Sequence, residues 1–283
     1  EKEKQLRQAM EKHRPEQVRE LLAKDRTLAA AIFPDTQWSA IYTAIDASTP
    51  EIVRLLIDSG ASVNSITPNG APMLQAASIR KKTDMVRLLL ERGADPNAPY
   101  KTGPKSERYA LGNCRGNAEI MKLLLDAGAT FDKNPDLAFD TLASVRTPEA
   151  LQLLTQYGIT LKARNANGDT PLKHAIDGNN AEQVRLYLEH GADPNETDRY
   201  GFVPLFNAIA PRRNPEIVRL LIKHGANVNI LDKSGISMLD RARKRECPAI
   251  EQLLLKHGAK TTKELKRNQP INPSSNTPER TAT

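Results

Sequence analysis

The chain has 283 residues, of which 39% are hydrophobic and only 4% aromatic, and it carries a formal net charge of +7. That length allows one or two ordinary domains, while so few aromatics argue against a single deep core and for many thin layers of Leu, Ile, Val and Ala. No run of 18 apolar residues occurs, which excludes a predicted transmembrane helix.

The first residues, EKEKQLRQAM, contain neither an initiating Met nor an apolar stretch, so a removed targeting segment or a trimmed chain is expected. From there the chain repeats itself. A first apolar patch, a polar gap and a second apolar stripe recur, and the stripe closes in LLIDSGA, LLLERGA, LLLDAGA, LLTQYGI, YLEHGA, LLIKHGA and LLLKHGA. The closing glycines are Gly60, Gly93, Gly128, Gly158, Gly191, Gly225 and Gly258, at spacings of 33, 35, 30, 33, 34 and 33. An eighth unit precedes them, with Arg26 at the glycine position. A fixed period of this length points to a stacked repeat protein.

Each unit reads as two short helices. The second opens with RPEQV, TPEIV, TPEAL, NPEIV or CPAIE, which puts Pro15, Pro50, Pro148, Pro215 and Pro248 at the first helical position, where no N–H is needed. Thr49, Thr147 and Asn214 are expected as side-chain caps, as is Thr170 before Pro171 on a first helix. Glu16, Glu51, Glu149 and Glu216 fall in first turns, where the helix dipole favours them. The closing glycine supplies a left-handed cap, and NGDT, RYGF and KSGI mark turns between units. Polar residues are expected on the outer units, Gln8 and Lys12 on the first, Arg241 and Arg243 on the last. Residues 261–283, rich in Pro, Asn, Ser and Thr, read as a disordered tail or linker.

The period and the phrase TPLKHA at 170–175, with VPLFNA at 203–208, resemble the ankyrin repeat. The resemblance weakens to SAIYTA, APMLQA, ERYALG, LAFDTL and SMLDRA elsewhere, yet it covers roughly residues 1–260. It implies an all-α solenoid of about eight helix-turn-helix units with short β-turn fingers, the units ending near 26, 60, 93, 128, 158, 191, 225 and 258. It also implies a non-catalytic scaffold that binds other proteins through finger tips and the first helix of each pair, on a concave face.

Chemistry is hard to find by comparison. The histidines His13, His174, His190, His224 and His257 show no metal-ligand spacing, and three of them simply precede a closing glycine. His174 is read as a packing residue. Cys114 and Cys247 form no CxxC and no zinc motif. Low cysteine use fits the cytosol, the default expectation, and leaves a secreted or bacterial periplasmic location open if an N-terminal signal was removed. The carboxylates of GADPN at 93–97 and 191–195 recur in phase with the repeat, so turn structure accounts for them. No phosphate loop, HExxH or GxSxG occurs. The expectation is no catalysis, no metal and no cofactor. The basic run RARKRE lacks any accompanying nucleic-acid motif, so a nucleic-acid partner is disfavoured.

Charge is unevenly spread: −4 over 131–210 (7 basic, 11 acidic) against +6 over 211–260 (11 basic, 5 acidic). At that change of sign lies the densest set of binding-type residues. Arg199, Tyr200 and Phe202 mark a finger; Phe206 and Asn207 mark the following helix; Arg212 and Arg213 mark its end; Lys233, Lys244 and Arg245 flank them on one side and Asn167 and Asp177 on the other. Tyr and Arg are enriched at binding hot spots, so a protein partner is expected here, on a chain monomeric by itself. Two further aromatic groups are Trp38 with Tyr42, and Tyr100 with Lys101 and Arg108 in an over-long connection. The alternative reading is a targeting region of a longer protein whose catalytic part lies outside this chain.

Overall fold

The computed structural model describes residues 1–267 apart from Ser48, Pro104, Lys105, Lys133 and Pro135. Contacts divide it into two units, Glu1–Ala166 and the part from Asn167 onward.

In the first unit five helix pairs follow one another: α1 (Lys2–Glu11) with α2 (Pro15–Lys24), α3 (Ala40–Ala47) with α4 (Pro50–Asp58), α5 (Met73–Ile79) with α6 (Thr83–Glu91), α7 (Ala110–Asn113) with α8 (Ala118–Asp126), and α9 (Leu137–Ser144) with α10 (Pro148–Gln156). First helices stack on first helices and second on second. Each layer therefore buries its neighbour's apolar stripe, as Ile52, Val53 and Leu56 of α4 and Val86 and Leu89 of α6 do. Two connections form short antiparallel ladders. Strand β1 (Ile32–Phe33) pairs with β2 (Trp38–Ser39), and β3 (Tyr100–Gly103) pairs with β4 (Ser106–Arg108), Tyr100 opposite Arg108. The second ladder occupies the over-long connection, whose extra residues are enough to pair with each other as a hairpin.

The second unit holds α11 (Pro171–Asp177) with α12 (Ala181–Glu189), α13 (Pro204–Ala208) with α14 (Pro215–Lys223), and α15 (Met238–Lys244) with α16 (Pro248–Lys256), then a last short helix, α17 (Thr262–Arg267). Helix α13 stops two residues sooner than α11 because Pro211 disfavours helical backbone at Ala210. The core of this unit is mostly aliphatic and holds one large aromatic side chain among the described residues. Tyr187 is fully buried, and its hydroxyl accepts a hydrogen bond from Gln183 Nε2 at 2.6 Å.

The expected prolines all occupy the first helical turn of their helices. Thr147, Thr170 and Asn214 cap through their side chains, while Thr49 makes no side-chain cap bond. Asn117, Asn180 and Ser237 cap too. The closing glycines have positive φ, 88° at Gly191 and 93° at Gly225.

Three expectations need correction. His174 is exposed rather than packed, since its neighbours Leu172, Ala175 and Ile176 already fill the buried side of α11. Arg241 is no solvent-facing end residue. It is half-buried, because the Asp232 carboxylate beneath it is almost fully buried and Arg241 is its ion-pair partner. Residues 262–267 of the expected tail are helical, and α17 is pinned to α15: the Thr262 N–H donates to Asp240 at 2.7 Å, and the Ser237 N–H donates to the Thr262 hydroxyl at 2.9 Å. The remainder of the tail lies outside the described residues.

Candidate functional site

The finger of residues 198–202 is shaped by Asp198. Its buried carboxylate accepts the N–H groups of Tyr200 at 2.9 Å and Phe202 at 3.0 Å, closing a turn that projects Arg199 and Tyr200 into solvent. The Arg199 guanidinium lies 4.6 Å from the Tyr200 ring centroid and also donates to its hydroxyl. The next finger is built alike, with Asp232 accepting from Ser234 at 2.8 Å and Ile236 at 3.1 Å.

Behind the tips, Phe202 and Phe206 stack with centroids 4.2 Å apart and planes 12° apart. Lys233 Nζ sits 6.0 Å from the Phe202 centroid, and the guanidiniums of Arg241 and Arg245 each sit 5.1 Å from that of Phe206. A half-buried ring pair thus carries three cations. Each contact of this kind stabilises by about 0.5–2 kcal/mol, more as water is excluded. Burial, and then the nearby charge of Arg245, push the Arg241 guanidinium below its ordinary value.

The fingers also interlock. A Cβ at Gly168 would lie 2.9 Å from Arg199 Cβ, and one at Gly201 would lie 2.6 Å from Lys233 Cε. At Gly168 only a bare Cα leaves room for the Arg199 stem, whereas at Gly201 the flexible end of Lys233 would have to shift. The end of Lys266 on α17 lies beside Gly235 in ordinary contact, its Nζ 3.4 Å from where a Cβ would stand.

The structure therefore brings Arg199, Tyr200, Phe202, Phe206, Lys233 and Arg245 together. Asn207 is half-buried on α13, and Lys244 is exposed at the end of α15. Arg212 is exposed with φ of 64°. Arg213 is tied into the fold. It donates to the Ile176 carbonyl and pairs with Asp177 at 3.3 Å, cancelling the unsatisfied carbonyl end of α11. Arg245 does the same for Ile209, and Lys82 for Ile45 in the first unit. This reach-back cation was invisible in the sequence because it appears in only some units.

The other aromatic groups differ. Tyr42 is buried, edge-on to Trp38 at 4.9 Å, and its hydroxyl accepts from Arg80 at 2.9 Å. Tyr100 is half-buried on its hairpin, with Lys101 and Arg108 exposed.

Elsewhere the chemistry is structural. Asp95 and Asp193 accept the N–H groups of Asn97 and Asn195, both at 2.8 Å, and those asparagines donate to the carbonyls of Gly128 and Gly225, both at 2.9 Å. Each GADPN turn thus latches the next unit's closing glycine. Burial pushes the Cys114 thiol up to about 11 and raises Cys247 as well, which suits packing and not nucleophilic attack. Among the described residues no cluster of three or more His, Cys, Asp or Glu could hold a metal ion, and no helix is long and apolar enough to cross a membrane.

These stacked helix pairs with latched fingers define a repeat protein of the binding-module class. A sequence model described as ankyrin repeats matches three times, over residues 6–100, 109–198 and 178–264. The chain belongs to the ankyrin repeat family. It is 29% identical over 172 residues to the human ankyrin repeat and SOCS box protein 6, covering 58% of this chain and 37% of that protein. It is 30% identical over 164 residues to the putative ankyrin repeat protein YahD of Escherichia coli, covering 54% of this chain and 80% of that one. A crystal structure of the human ASB11 ankyrin repeat domain aligns over 90% of this chain and 98% of that one, at 24% identity and a TM-score of 0.45. The chain spans between a third and two-fifths of the length of the first curated relatives it matches. Ankyrin repeats are generally protein–protein interaction modules, and the fold is typically non-catalytic.

Proposed function

We propose that the chain is a non-catalytic scaffold that binds a protein partner through the concave face and finger tips of residues 165–245, in the role of an adaptor, an effector or an inhibitor of the immunity type. The observation that carries this reading is the convergence of Arg199, Tyr200, Phe202, Phe206, Lys233 and Arg245 on neighbouring elements, with Tyr200 49% exposed despite its size. A large aromatic held out by a turn and stiffened by a stacked guanidinium loses little entropy on binding, which is what an interface anchor requires.

The test is affinity capture from the native organism, repeated with substitutions. Tyr200→Ala should weaken the captured partner by about 1–3 kcal/mol with an unchanged melting temperature. Wild-type capture by Tyr200→Ala, with loss on Trp38→Ala or Tyr100→Ala, would move the interface to the first unit. The second reading, a targeting region of a longer protein, is favoured by how little of some relatives is matched. Only 37% of the SOCS box protein and 13% of the Arabidopsis thaliana E3 ubiquitin-protein ligase KEG are covered.

A further inference from the structure

The second unit carries a row of cations that the fold positions without neutralising. Arg199, Lys233 and Lys266 lie against the glycines of successive fingers, Arg199 by its stem at Gly168 and the two lysines by their ends at Gly201 and Gly235. Lys233 also caps the ring pair, whose far end carries Arg241 and Arg245. Among the described residues no carboxylate lies within 4.0 Å of the charged groups of Arg199, Lys233, Lys266 or Arg245, although Lys173, Arg185, Arg213, Arg219, Arg241 and Arg243 of the same unit are all paired. The finger aspartates Asp198 and Asp232 are committed to their own turns. Arg241 has in addition a buried Nε that finds no hydrogen-bond partner among the described residues.

A guanidinium or ammonium held against an aromatic ring keeps its N–H groups available at the rim, and it has already lost much of its side-chain freedom. A carboxylate arriving there meets preorganised donors and forms charge-assisted bonds at a reduced entropic cost. A stacked nucleobase is less suited. The facing surfaces of Phe202 and Phe206 are taken by each other, and cations lie over the pair, so little open ring face remains.

We infer that this row and the stack beside it receive an acidic segment of the partner protein, its carboxylates pairing with Arg199, Lys233, Lys266 and Arg245. This rests on the protein-binding reading above and adds the chemistry of what is bound. Layers of packed helices lie about 8–10 Å apart. Acidic groups at that pitch recur about every three residues in an extended segment, or about every seven on a helix.

The probe is a phage-displayed library of random peptides selected on the full chain at low salt, with oligothymidylate as a separate ligand. Selected peptides should be rich in Asp and Glu. They should lose about tenfold or more in affinity for Arg199→Glu combined with Lys233→Glu, lose affinity for Phe206→Leu, and bind Trp38→Ala as wild type. The charge reversals lie at exposed positions, so they decide the matter even if Phe206→Leu fails to fold. Neutral or basic peptides that are lost on Tyr200→Ala would overturn the acidic partner and leave the binding face standing. Peptides indifferent to every substitution in the second unit would overturn both. Oligothymidylate bound more tightly than any peptide, and released by Phe206→Leu, would replace the acidic protein with a single-stranded nucleic acid.

Discussion

Leu186 shows how one residue carries the period. It is 7% exposed on α12, between the fully buried Val184 and Tyr187. Leu186→Ala should cost about 2–5 kcal/mol, measured by urea unfolding, because a packed layer collapses only partly around the missing atoms. A loss below about 0.5 kcal/mol would mean that the site is not part of the core. Arg212 works in the opposite direction. It holds φ of 64° between α13 and α14, a left-handed conformation that costs a residue with a Cβ about 1–2 kcal/mol. Glycine escapes that cost but loses more chain entropy, so Arg212→Gly should raise stability by roughly 0.5–1 kcal/mol. A lower urea midpoint for Arg212→Gly would show that its side chain makes a contact worth more than the strain. Residue type alone misled at His174, which shares the TPLKHA phrase with buried neighbours yet faces solvent. A histidine is compatible with either environment, so the phrase could not decide.

At the scale of the element, α17 is tied to α15 through the Asp240 carboxylate and the Ser237 N–H. Burial alone would raise the Asp240 pKa, but the Thr262 backbone N–H, the hydroxyls of Thr262 and Ser237 and the charge of Arg243 outweigh it and hold the group below its ordinary value. A carboxylate depressed in the folded state contributes stability above its unfolded pKa of about 3.9 and loses it as pH falls through the folded value. The contact between α17 and α15 should therefore persist at neutral pH and weaken only below about pH 4. The Thr262 amide resonance should titrate over that acidic range in the wild type and stay flat in Asp240→Ala. Titration near neutrality would assign the contact to another group. This helix also marks a limit of legibility. Helix pairs were readable from proline, stripe and glycine because every unit repeats those signals. TTKELKR carries no stripe, and it becomes helical because Asp240 and Ser237 of the preceding unit offer it partners. The same holds for Arg213, Arg245 and Arg241. Their charge was legible, but the carbonyls and the buried aspartate they serve lie 37, 36 and 9 residues away in the chain.

For the whole molecule, the charge pattern bears on how a partner is met more than on how tightly it is held. Residues 131–210 carry −4 and residues 211–260 carry +6, so the candidate face lies where the chain turns basic. The guanidiniums of Arg185 on α12 and Arg219 on α14 are matched locally by Glu216. They cancel at close range and contribute little to the distant field. Arg212 and Lys244 are exposed, with no ion-pair partner among the described residues, so their fields extend into solvent. Oriented charge of this kind raises association rates, and its reach is about 30 Å at 0.01 M salt but only about 8 Å at 0.15 M. For the partner recovered by capture, Arg212→Glu combined with Lys244→Glu should slow association several-fold at low salt. That deficit should shrink steadily as salt is added. Dissociation should change less, because rim charges act mainly on encounter whereas the anchors Tyr200 and Phe206 govern the lifetime of the complex. Stopped-flow or surface-resonance traces across a salt series separate the two rates. A deficit confined to dissociation and insensitive to salt would show that Arg212 and Lys244 are buried in the complex as direct contacts, and steering would then have to come from elsewhere on the basic surface.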